Sequence, residues 1–128
     1  MLLACSSSLV PTPAIEGTYR LARYDGKDLP AKDFQLPDRQ GQPTQCWYTA
    51  TRGDLDLVAG SFRYTVTFEN SCTNTVLWEG TVRGRYDHVG NNLTFRTPGE
   101  NGDLVYPGTV TDGSITVQEP SVVMVFIR

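Results

Sequence analysis

Long apolar runs are missing from this chain, and so is any helical rhythm. No apolar stretch approaches the roughly 20 residues that a helical membrane span requires. No window of about eleven residues carries the i, i+3, i+4, i+7 spacing of an amphipathic helix. Histidine occurs once, at His88, so any triad built on an imidazole would have to use it. That residue follows Asp87 and precedes a Val89-Gly90 turn, the strand-end setting of a solvated histidine. The three cysteines include no CxxC pair, which with one histidine leaves too few ligands at zinc-site spacing. No P-loop or dinucleotide fingerprint is present. Excess positive charge is lacking too: the formal net charge is −3, whereas nucleic-acid binding needs a basic surface to neutralise phosphates. These absences argue against an enzyme, a resident metal or cofactor, and a nucleic-acid partner.

What is present is alternation. In Phe62-Arg63-Tyr64-Thr65-Val66-Thr67-Phe68-Glu69 every second side chain is polar, as a strand with one wet face requires. Trp78 to Asp87 repeats the pattern, with apolar or small residues set against charged ones. Twelve glycines and eight prolines supply turns between such strands. Asp25-Gly26, Ala59-Gly60, Gly90-Asn91-Asn92 and Asp112-Gly113 punctuate the chain, and Asp112-Gly113 is the strongest hairpin signal because both residues accept positive φ. Arg52-Gly53 interrupts its strand as a turn or a bulge.

Eight strands follow, at about 17–24, 45–58 (bent near Gly53), 61–70, 76–87, 91–97, 103–111, 113–118 and 121–127. The link from Gly26 to Thr44, with Pro30, Pro37 and Pro43, is expected to be an irregular lid. The fold class is therefore all-β, a single eight-stranded antiparallel up-and-down barrel, which closes its own edges. A two-sheet sandwich is the alternative, and its Greek-key crossings fit the short turns less well.

Particular residues carry a family likeness. Gly17-Thr18-Tyr19-Arg20-Leu21 and Asp25-Gly26-Lys27-Asp28-Leu29-Pro30, then Gly53-Asp54-Leu55-Asp56-Leu57 with Gly60-Ser61-Phe62, and finally Val123-Met124-Val125-Phe126-Ile127-Arg128, form an ordered set. The set resembles small bacterial lipocalin-like lipoproteins, from Ile15 onward. The resemblance implies a calycin-type barrel in which Arg128 packs over Tyr19 at a closed end. Leu2-Leu3-Ala4-Cys5 is similar to a lipobox, although the four residues before Cys5 do not include the basic and apolar regions of a signal peptide. That likeness implies lipidation at Cys5, a signal remnant and flexible tether over residues 1–13, a barrel domain over 14–128, and residence in the bacterial cell envelope. Membrane contact would be through the lipid alone. In an exported protein Cys46 and Cys72 are expected to form a disulfide, worth roughly 3 kcal/mol through the unfolded state; zinc is the weaker reading.

Alternation also nominates a binding site. Phe62 and Tyr64, Trp78 and Tyr86, and Tyr106 are expected to face the barrel interior, as are Leu93, Phe95, Ile115 and Val117. Along the last strand the choice falls on Val123, Val125 and Ile127. An interior of eight strands holds either packed side chains or one small ligand. Gly80, Gly84 and Gly108 subtract volume on that side, so they either open an apolar pocket with hydroxyl handles or are filled by the large aromatics. Asp54 and Asp56 share a strand face, read as its wet side. The chain is thus expected to bind a small hydrophobic ligand. The alternatives are a protein-binding module, such as an inhibitor of a secreted enzyme acting through Phe34, Leu36, Arg39 and Gln40, or a passive envelope component.

Overall fold

Strands occupy most of the described residues, 14–128 of the computed structural model. The expected tether and Cys5 lie outside them. Chain order gives β1 Gly17–Tyr24, β2 Lys27–Asp28, β3 Ala31–Pro37, β4 Pro43–Val58, β5 Ser61–Asn70, β6 Val76–Val89, β7 Asn92–Thr97, β8 Leu104–Thr111, β9 Ser114–Gln118 and β10 Val123–Ile127. Hydrogen-bonded neighbours run β1-β10-β9-β8-β7-β6-β5-β4, and β4 pairs back onto β1. The ring is a closed eight-stranded antiparallel up-and-down barrel, with β2 and β3 outside it.

The expected lid is not irregular. β3 pairs antiparallel with the first half of β4, from Ala31 opposite Ala50 to Pro37 opposite Pro43. Its prolines cost no ladder bond of the ring because Pro30 stands before the strand and Pro37 ends it, on an outer edge. β4 therefore serves two partners in turn. Residues up to Ala50 hold β3, and Gly17 to Arg20 of β1 pair with Leu57 to Asp54. A bulge between Ala50 and Arg52 makes the bend, as strand bulges do. Gly53 permits it, since a Cβ there would stand 2.5 Å from the Thr65 carbonyl oxygen and 3.2 Å from Leu21.

The tight connections fall where the turn residues are. Asp112 and Gly113 take φ of 41° and 79° between β8 and β9, the left-handed values of a two-residue hairpin. Inside the ring, Leu55, Leu57, Phe95, Ile115, Val117 and Phe126 are fully buried, with Tyr19, Phe62 and Tyr64 beside them. One strand reverses the expected facing. Met124 and Phe126 of β10 point inward, while Val123 is exposed and Val125 and Ile127 are half-buried. Every residue of that strand is apolar, so alternation carried no information about its faces. Cys46 and Cys72 form a disulfide with a Cα separation of 5.4 Å, tying the upper half of β4 to the loop after β5. This is weakly consistent with export.

Candidate functional site

The two ends of the barrel are built differently. Gly17, the turns after β4, β6 and β8, and Arg128 gather at one end, here the floor. The longer loops at 71–75, 98–103 and 119–122 and the Asp25-Gly26 turn surround the other end, the mouth.

The floor is plugged. The Arg128 guanidinium lies 4.8 Å above the Tyr19 ring centre and also donates to the Tyr19 hydroxyl and, at 3.0 Å, to the Glu16 carbonyl. The Tyr19 hydroxyl donates to the Ile15 carbonyl at 2.7 Å. Above this plug the glycines are filled rather than vacant. A Cβ at Gly84 would meet the Arg96 carbonyl oxygen at 1.9 Å and the Phe62 ring at 2.8 Å. One at Gly108 would meet Phe95 at 2.6 Å. Phe62 and Phe95 then pack edge to face at 5.0 Å.

The mouth is hollow. Two adjoining cavities, each about 160 Å³, share Tyr64, Val82 and Glu119 as walls. The first is bounded also by Tyr24, Phe68, Trp78, Val122 and Met124, the second by Thr97, Leu104, Val105, Tyr106 and Pro120. Tyr64 and Tyr106 bring their hydroxyls within 3.4 Å of each other. Trp78 lies across Gly80 and leans on Phe68 at 5.9 Å, yet remains 56% exposed. Leu104, Val105 and Val123 extend an exposed apolar rim.

Of the five residues nominated by alternation, Tyr64 lines both mouth cavities, Trp78 the first and Tyr106 the second. Phe62 lies beneath them in the packed core and lines neither mouth cavity. Tyr86 lies toward the floor, where its backbone amide donates to the Gly60 carbonyl at 2.9 Å. Burial pushes its phenol up, and Glu16 and Tyr19 beside it add to the shift.

Several wall residues escaped the sequence reading, Met124, Val122, Thr97, Val105 and Pro120 among them, and two carry polar groups, Tyr24 and Glu119. Tyr24 reaches the mouth because a bulge between Leu21 and Arg23 resets the alternation of β1. Strict alternation would have turned Arg23 inward, and that charge next to Tyr19 and Leu21 was the available signal. Glu119 sits in the β9–β10 loop, where alternation says nothing. Burial raises its carboxyl above the ordinary value. Burial also pushes the Tyr106 phenol up to about 12. Tyr24 likewise rises to about 12, through burial first and then the charges of Asp33, Glu119 and Asp25.

Elsewhere, Asp56 accepts from Thr18 and Arg63 at 2.8 and 2.7 Å, and the Arg63 bond holds its carboxyl below the usual range. Its neighbour Asp54 keeps one buried oxygen without a hydrogen-bond partner. His88 is half-buried, not solvated as expected, and its Nε2 is also without a partner; within the longer β6 it stands opposite the buried Leu93, on the inner face of the strand. Among the described residues no three His, Cys, Asp or Glu side chains come together as a metal site. A recess of about 370 Å³ lies at the floor between Ile15, Asn91 and the Asp112-Gly113 turn. Ala14, where the described residues begin, bounds its outer side. Comparisons with protein-family models, with curated proteins and with solved structures found no match.

Proposed function

We propose that this is an exported, lipocalin-like binding protein that holds a small hydrophobic molecule at the barrel mouth and performs no chemistry on it. The observation that carries the reading is the pair of apolar cavities sharing Tyr64, Val82 and Glu119. Small-ligand sites are concave and mostly apolar, with a few polar groups to fix orientation. The Tyr64 and Tyr106 hydroxyls supply such groups. Leu104 and Val105, exposed and lining the second cavity, add apolar surface at its opening. At about 160 Å³ each, the cavities suit a single short chain or ring.

The Arg128–Tyr19 plug supports the lipocalin-like assignment, and the Cys46–Cys72 bridge supports an oxidising compartment. Within this reading Cys5 carries the lipid that holds the protein in the bacterial envelope. Saturable quenching or shift of tryptophan emission on titration with octanol tests the binding claim. The wild type is expected to saturate, and Val82→Phe, which fills the wall common to both cavities, to lose the response. A linear, non-saturating response in the wild type would remove the proposal.

A protein partner is the second reading. It is favoured by the outer edge of β3, where Phe34 is 49% exposed and stacked on Tyr48 at 4.7 Å. An edge strand with free amides is a template for added strands. A partner bound there would protect the β3 amides from exchange.

A further inference from the structure

Glu119 is the one charged residue in the walls of both mouth cavities. Among the described residues its carboxylate has no ion pair and no hydrogen bond, although the residue is only partly exposed. Among the described residues the ion pairs that form are all made by other carboxylates. Arg23 faces Asp28, Arg52 holds Glu69, Arg96 holds Asp87 and Arg128 caps Tyr19. Asp25 and Asp33 add negative charge near Tyr24, on the same rim. Tyr24 and Trp78 line the first cavity together with Glu119, and the Glu119 charge is felt at the Tyr24 phenol.

A half-buried carboxylate without a partner is unfavourable in an apolar recess. A neutral ligand would desolvate it further, and an anionic ligand would meet its charge directly. A cation would satisfy it, and aromatic faces attract cations through the negative charge above the ring. Resting on the reading of the mouth as a ligand site, we propose that the ligand is an organic cation. It is a small apolar body bearing a protonated amine, held by the Glu119 carboxylate against Tyr24 and Trp78.

The experiment compares three probes of one chain length, octylammonium, octanol and octanoate, by calorimetric titration of the wild type, Glu119→Gln and Glu119→Lys at neutral pH. The wild type is expected to bind octylammonium about tenfold or more tighter than octanol, the scale of one charge-assisted contact, and octanoate most weakly. In Glu119→Gln the ratio of octylammonium to octanol should fall toward one. In Glu119→Lys the order should invert in favour of octanoate. Equal affinities in the wild type, or a preference that survives in Glu119→Gln, would overturn the cation while leaving the mouth a binding site. Failure of all three probes to bind the wild type would overturn the binding function as well.

Discussion

Floor and mouth are made from the same strands, and the same residue types do opposite things in them. On β6, Gly84 near the floor is overlain by Phe62 and by the Arg96 backbone, while Gly80 near the mouth is overlain by Trp78. Phe62 is buried among other rings, whereas Trp78 is more than half exposed. A missing side chain is therefore filled by buried neighbours in one case and by a half-exposed ring in the other. At the floor an arginine is stacked and hydrogen-bonded by Tyr19 and Glu16; at the mouth a glutamate faces a hollow. Apart from the recess beside Tyr19 and Arg128, the floor half is packed solid, while the mouth half keeps two apolar cavities.

The largest effect that separates the halves should come from truncating their rings. Phe95→Ala leaves a cavity in the packed half and is expected to cost about 4 kcal/mol. Trp78→Ala removes a ring already largely in water, and should cost under about 1 kcal/mol. Urea unfolding of the two variants measures the gap, and similar costs would erase the contrast. A subtler pair uses one substitution twice. Gly84→Ala drives a Cβ into backbone and should cost about 1–3 kcal/mol or more. Gly80→Ala needs only the Trp78 ring to move aside, so its cost should stay below about 1 kcal/mol while tryptophan emission shifts.

The smallest effect is in the alkaline range. Tyr24 and Tyr106, both at the mouth, are held up to about 12, above the usual phenol value of about 10. Their folded values exceed the unfolded ones, so the stability they contribute is intact below about 10. It is lost as pH rises through about 12. Absorbance titration should show late-ionising phenols, and Tyr24→Phe and Tyr106→Phe should each remove one of the latest. Ionisation of both near the ordinary value would mean the mouth is wetter than its walls imply.

The barrel itself was legible because strands such as β5 and β7 must keep one face dry, and their side chains say which. Eight ring strands lie within two residues of their expected bounds. Legibility failed where that contrast vanished. The Val123–Ile127 run is apolar on both sides, so its facing was set by register against β1 and β9. The Ala31–Pro37 strand hid behind prolines that proved to be harmless at its ends. The cavity wall was half legible. Tyr64, Trp78 and Tyr106 followed from alternation, but Tyr24 depended on a bulge and Glu119 on a loop. Tyr86, correctly placed on the inner face, ended at the other end of the barrel because alternation fixes facing and not height.

The chain enters the barrel at the plugged end and finishes there, with Arg128 bonded to Glu16. Ala14, the first described residue, also lines the floor recess, at the end opposite the mouth. Under the proposed lipid at Cys5, the hollow would face away from the anchoring surface. On that same proposal, cargo would be exchanged with the surrounding fluid rather than with the lipid, and a label joined after Arg128 would stand clear of the opening.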